Sequence, residues 1–379
     1  MRFHRRSGSR VPPSGIFGLN AMIRVFTVWL LLFSALCGSS ELRGQGLRGQ
    51  GLRTQELRAP AQGPRSHASN NICVRPGDQV WLVSARAHDV SSSCGLHCAQ
   101  FAGGQWCRSD CQMMPKVGRH AVEETFVFVH GYNTDLEYAQ KRGLQVYSSL
   151  FAQCQYRPPV RFVIWAWRSE RDSLRAVRDY NMKSGRAIKL ADKFAWTLNC
   201  LGPKPAIILG YSLGAQVAVS GLTQSCVYQG PPVQFSVIAA ANDCSFASCT
   251  NLNKYGSIAR TTVFLNERDL AIRAANLICR ARYGKQYQTF EQLAPANQPF
   301  LGQLEIVDIT GVASQRHSIV RYCELDIVRC RMNEMVKFNG CSSSLSGEAF
   351  SVPLSVPNAG FPMPLISMPV EYSTPSITR

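Results

Sequence analysis

A serine hydroxyl becomes a nucleophile only when a base takes its proton, and this sequence sets one serine in a context suited to that chemistry. Gly210-Tyr211-Ser212-Leu213-Gly214 directly follows the apolar run 206–209 and precedes the helix-compatible stretch 215–222. In a strand-to-helix elbow the nucleophile's backbone is strained, and small residues two positions to either side keep the turn free of clashes. The five-residue pattern alone recurs in loops by chance. The buried strand before it and the helix after it are what single out Ser212. His317 is the only histidine after Ser212, which makes it the candidate general base where the chain order is nucleophile, acid, histidine. The carboxylates between them are Asp243, Glu267, Asp269, Glu291, Glu305 and Asp308. Asp269 is favoured as the orienting acid because it follows the strand-like 262–265 by a short turn. Asp243, which ends the strand after that of the serine, is the competitor.

An acyl-transfer intermediate carries an oxyanion that needs two backbone N–H donors. Leu213, after the nucleophile, supplies one, and the turn His130-Gly131-Tyr132-Asn133 after an early apolar run is placed to supply the other from Tyr132. Gly131 would allow close approach to the substrate, and His130 reads as a brace for the loop rather than a second base. Trp165 and Trp167, two apart on one strand and so on one face, either wall an acyl pocket or belong to the core.

These groups have to be held by a sheet. Apolar runs at 125–129, 161–167, 206–209, 234–241, 261–265 and 304–309 alternate with helix-compatible stretches, among them one after the caps Asn133, Thr134 and Asp135 and a long amphipathic one at 173–201. Strands apolar at nearly every position imply an α/β architecture, a mostly parallel sheet with helices on both faces. A further strand is expected at 79–85. The rest of 73–118 holds Cys73, Cys94, Cys98, Cys107 and Cys111 and reads as a small, loop-rich, cross-linked segment preceding the main domain. His97 beside Cys94 and Cys98 also allows a zinc site, but the spacing is loose for one, and disulfides are preferred.

A 45% apolar content excludes a wholly disordered chain. The charge, 41 Lys and Arg against 24 Asp and Glu, suggests a nucleic-acid binder until its distribution is considered: residues 1–65 hold ten arginines and two acids. The excess elsewhere is scattered on helix-like segments, so no nucleic-acid partner is expected and weak association with anionic envelope surfaces is the alternative. Met22-Ile23-Arg24, an apolar run at 25–36 and the small residues 37–40 have the three parts of a secretory signal. The run is too short to span a bilayer as a helix. Cys37 offers a lipid anchor as the alternative to cleavage. Without Cys37, fourteen of the fifteen cysteines remain, an even number compatible with seven disulfides in an exported chain. The expected organisation is an export segment at 1–40, a flexible Arg/Gly/Gln repeat at 41–72, the Cys-rich segment at 73–118, the main domain at 119–341 and a Pro/Ser-rich tail at 342–379.

The segments Phe126 to Asn133, Trp165-Ala166-Trp167, Gly210 to Gly214 and Asn266-Glu267-Arg268-Asp269 together resemble the uncharacterised bacterial esterase/lipase-like family of the α/β-hydrolase superfamily. The resemblance covers about 124–322 and implies Ser212, Asp269 and His317 as the triad, with Tyr132 and Leu213 as oxyanion donors. It implies no substrate. The resulting expectation is an exported serine hydrolase, periplasmic, extracellular or membrane-anchored, that cleaves a small-molecule or lipid carboxylic ester and needs no cofactor. An amidase or acyltransferase would use the same triad, and a non-catalytic surface-binding protein could keep the same fold.

Overall fold

The computed structural model describes residues 73–86, 95–114, 124–152, 158–173, 176–223, 227–240, 257–283 and 303–336. The expected export segment, repeat and tail lie outside them, as does Asp243. The strands are β1 (Gln79–Ser84), β2 (His97–Ala102), β3 (Gln105–Ser109), β4 (Glu124–Val129), β5 (Val160–Ala166), β6 (Ala206–Tyr211), β7 (Val233–Ile238), β8 (Ile258–Leu265) and β9 (Gln303–Asp308). They form one nine-stranded sheet in the order β3-β2-β1-β5-β4-β6-β7-β8-β9. β1 and β4 to β9 run parallel, and the β2–β3 hairpin adds an antiparallel edge.

The central strands carry β-branched and aromatic residues on both faces because both faces are covered. Phe126 to Val129 and Phe162 to Ala166 have no solvent exposure. One layer is α2 (Ala176–Lys189) and α3 (Ala191–Cys200) packed against α4 (Leu213–Thr223). The other groups α1 (Leu136–Tyr147), its π-helical continuation Ser148–Ala152, α6 (Ile319–Cys323) and α7 (Asp326–Met335). α5 (Leu270–Tyr283) follows β8. The carboxylate of Asp135 caps α1 by accepting from the Tyr138 N–H at 2.7 Å. The long helical stretch expected at 173–201 is two helices, broken at Leu190 (ψ 1°), where the apolar period continues but the backbone turns.

The described residues of the Cys-rich segment, 73–86 and 95–114, hold more strand than expected and join the main sheet. Strand β1 pairs in parallel with β5, and β2 and β3 extend the same sheet. The disulfide Cys98–Cys111 ties β2 to the 3₁₀ turn Cys111–Met113. That bond commits Cys98 and removes it from any zinc set with His97; Cys94 lies outside the described residues. Among the described residues, Cys323 is a fully buried free thiol, and Cys73 and Cys107 are exposed ones.

β4 is followed by β5 on one side and, after the α2–α3 layer, by β6 on the other. The strand order therefore reverses at β4, and the carboxyl ends of β4 and β6 flank this switch point, where an open α/β sheet generally binds its ligand. Every candidate site residue that the structure describes, apart from the two tryptophans, is brought to this sheet edge.

Candidate active site

Ser212 stands between the end of β6 and the first residue of α4 with φ +53°, a left-handed conformation that costs a non-glycine residue of order 1–3 kcal/mol. It is held there by its N–H donating to the Ile238 carbonyl and its own carbonyl accepting from Ala215, both at 3.1 Å. The flanking glycines have steric reasons. A Cβ on Gly210 would lie 2.6 Å from the Ala215 Cα, and one on Gly214 would lie 2.2 Å from the Val129 carbonyl oxygen and 2.5 Å from that of His130. α4 can thus start only if its first turn sits directly on the end of β4.

Asp269 and His317 are in contact. The Nδ1 of His317 lies 2.8 Å from Oδ2 of Asp269, and the imidazole stacks on the Tyr211 ring with centroids 4.8 Å apart, next to Ser212 in the chain. Asp269 has no solvent exposure. Its Oδ1 accepts from the N–H groups of Ala271 and Ile272 at the start of α5, and its Oδ2 also accepts from the Tyr322 hydroxyl at 2.5 Å. Burial opposes ionisation of this carboxyl, but the His317 charge and hydrogen bond, the Tyr322 hydroxyl and the Ile272 amide outweigh it and hold the carboxyl below its ordinary range. A carboxylate ionised in this way favours the tautomer with Nδ1 protonated, which leaves Nε2 free to take a proton. Of the other candidate acids, Glu305 pairs with Arg260 and Arg331, and Asp308 caps its own turn at Thr310.

Opposite lies the loop 130–135. A Cβ on Gly131 would meet Ser212 Cβ at 2.7 Å, so only glycine lets this loop approach the nucleophile. Asn133 is left-handed, with φ +58°. The fully buried Ser169, after β5, clamps the loop: its Oγ donates to the Gly131 carbonyl at 2.8 Å and accepts from the Thr134 N–H at 3.2 Å, while its carbonyl accepts from Asn133 at 2.8 Å. The Tyr132 hydroxyl donates to Oδ2 of the buried Asp179 at 2.6 Å, and Oδ1 of Asp179 accepts from the Asp172 N–H. Asp172 in turn pairs with the fully buried Lys183. Burial, reinforced by Asp179, raises the Tyr132 phenol and keeps it neutral. Among the described residues neither the Tyr132 N–H nor the Leu213 N–H donates a hydrogen bond, which leaves two backbone donors flanking Ser212.

His130 is a brace. Its Nε2 accepts from the Trp167 N–H at 3.1 Å, its Nδ1 donates to the Gly131 carbonyl at 3.0 Å, and burial lowers its pKa to about 4. Trp165 and Trp167 do not wall a pocket. Both are fully buried: the Trp165 indole donates to Thr197 and packs edge-on against Phe194 of α3, and the Trp167 indole donates to the His130 carbonyl and stacks on its ring. The reason is that β5 is covered on both faces.

The model of the family described as "Alpha/beta hydrolase of unknown function (DUF900)" matches residues 109–319, more than half of the sequence. The chain belongs to that family. No protein of curated function matches it. The match runs from the end of β3 to the start of α6, so this α/β hydrolase has its elbow, its oxyanion-loop candidate, Asp269 and His317 inside the family region. β1, β2 and Tyr322 lie outside it.

Ser169, Asp179 and Tyr322 are contributors to this α/β hydrolase's site that the sequence reading missed. The only available signal was position: Ser169 lies two residues past an apolar strand, and Tyr322 lies five residues past His317. Neither spacing has a meaning until the loops are folded.

Proposed function

We propose that the protein is a serine hydrolase that cleaves a carboxylic ester through an acyl-enzyme on Ser212. The single observation that carries the reading is the left-handed Ser212 at the strand-to-helix elbow, with the His317–Asp269 pair stacked beside it on Tyr211. In this mechanism His317 Nε2 takes the Ser212 proton as the oxygen attacks the ester carbonyl, and the N–H groups of Tyr132 and Leu213 receive the oxyanion. The imidazolium, stabilised by Asp269, then gives its proton to the departing alcohol. Water activated by His317 releases the acid and restores the serine.

We further propose that the chain works outside the cytoplasm, a location that suits the export-like segment in the sequence and the Cys98–Cys111 disulfide. The basic N-terminal region would favour weak association with anionic envelope surfaces. The decisive experiment treats oxidised protein and its Ser212→Ala variant with a fluorophosphonate probe. Labelling of the parent alone supports the serine hydrolase and opens a search through esters of varied chain length. No labelling of folded parent refutes it and leaves a non-catalytic binding protein of the same fold.

A further inference from the structure

Oδ2 of Asp269 is shared. It accepts from His317 Nδ1 at 2.8 Å and from the Tyr322 hydroxyl at 2.5 Å, while Oδ1 is taken by two α5 amides. The direction of the Tyr322 hydrogen is fixed by Asn266. The Arg268 N–H donates to Asn266 Oδ1 at 3.1 Å, which makes the other end of that side chain the amino group. This amino group donates to the Tyr322 oxygen and to the Ser314 carbonyl, each at 2.9 Å. With its oxygen already accepting, the phenol has one hydrogen to give and one place to give it, Asp269. The same Asn266 amide fastens the loop that carries His317, three residues beyond Ser314.

We propose that Tyr322 is a positioning residue of the triad: its hydroxyl, aimed by Asn266, sets how much of the Asp269 charge reaches His317. This rests on the serine-hydrolase reading for its catalytic meaning, but the coupling itself is a property of the three side chains. A carboxylate oxygen that also binds a phenol offers less electron density to an imidazolium. Burial and the neighbouring carboxylate push the Tyr322 phenol far above its ordinary range, so it stays a neutral donor at any working pH. A phenylalanine would pack in the same space and leave Oδ2 to His317 alone.

The other groups facing the pair leave this argument intact. They are the Tyr211 ring from β6, whose phenol burial also holds neutral, and the α5 amides. Tyr138 and Arg142 of α1 act electrostatically on Tyr211. Replacing Tyr322 removes one of the groups that raise the Tyr211 phenol, but burial, the largest cause, remains and keeps it neutral.

The test uses the full oxidised chain and Tyr322→Phe with two readouts: the pH dependence of fluorophosphonate labelling, and the low-field proton resonance of the His317 Nδ1–H. Freed of the phenol, Asp269 stabilises the imidazolium more strongly, so the acid limb should move up by about 1 pH unit. Well below both acid limbs the labelling rate should fall about tenfold, and the resonance should move to lower field. Asn266→Ala, which releases the phenol without removing it, should move both readouts in the same direction by less, and it serves as the test if Tyr322→Phe does not fold. If the folded variants keep the parent's acid limb and resonance, the inference is overturned although the hydrolase reading stands. If the parent never labels but the resonance moves in Tyr322→Phe, the coupling stands and the hydrolase reading falls.

Discussion

Replacing Asp269 by asparagine alters one atom of the side chain and separates its two jobs. An asparagine has one acceptor oxygen and one donor amide where the carboxylate has two acceptors. If the oxygen faces α5, it still accepts from Ala271 and Ile272, and asparagine is as good a helix cap as aspartate. The amide then faces His317 Nδ1 and the Tyr322 hydroxyl. The phenol can rotate to accept, but the imidazole can do so only by moving its proton to Nε2, the atom that must be free to deprotonate Ser212. The reverse orientation turns the amide against two helix N–H groups and loses the cap, at about 1 kcal/mol. The helix therefore selects the orientation that disables the base. We expect Asp269→Asn to lose no more than about 2 kcal/mol of stability, mainly from the altered buried network, while its reactivity falls about 10⁴-fold through the wrong tautomer. Such a fall corresponds to about 5.5 kcal/mol of transition-state stabilisation. The assay is the second-order rate of fluorophosphonate labelling at pH 8, with urea unfolding of the same samples and Asp243→Asn as control. A folded Asp269→Asn protein that labels within tenfold of the parent would refute the assignment, and a collapse in Asp243→Asn alone would transfer the role to that residue.

Two further outcomes follow from the loop opposite. His130 is buried neutral with a pKa of about 4 against 6.5 in the unfolded chain, so its contribution is complete above pH 6.5 and is lost as pH falls toward 4. Urea unfolding should show about 3 kcal/mol of stability lost over that window, and His130→Gln should lack this part of the slope. Gly214→Ala drives a Cβ into the Val129 and His130 carbonyls, so calorimetry should find it destabilised by about 3 kcal/mol, the upper end for overpacking, with labelling abolished because the Leu213 N–H moves with the helix.

The legible part of this fold is the part that is buried on both faces. β4, β5 and β6 announce themselves because Phe126 to Val129, Phe162 to Ala166 and Ile207 to Leu209 are apolar without interruption, and only a covered parallel strand requires that. The edge was not legible for the same reason. Gln100, Gln105 and Arg108 sit on strands that are only partly buried, and their polarity reads as loop. Trp165 and Trp167 stand two apart at the end of β5, but spacing cannot say that α3 covers the first and His130 stacks on the second. Ser212, Asp269 and His317 could be named as candidates because the elbow has a sterically enforced sequence and His317 is the only histidine after Ser212. Ser169, Asp179 and Tyr322 reach the site through hydrogen bonds to residues 35 or more positions away, and no local pattern encodes those.

The missed residues explain how the site can hold its geometry before a substrate arrives. Ser212 and Asn133, the latter on the loop that approaches Ser212 at Gly131, are both left-handed and neither glycine, and each such residue stores of order 1–3 kcal/mol of backbone strain. Strain of that size relaxes unless the surroundings over-determine it. On the Ser212 side the determinant is α4, every residue of which is buried, seated through Gly214 on β4. On the Asn133 side it is Ser169, whose hydroxyl and carbonyl hold Gly131, Asn133 and Thr134 at once, with the Asp179–Tyr132 bond behind it. Two N–H donors kept in place by separate rigid supports can receive developing charge without reorganising, which is the property an oxyanion site requires. A flexible loop bearing the same residues at 130–133 would match the motif and lack that property.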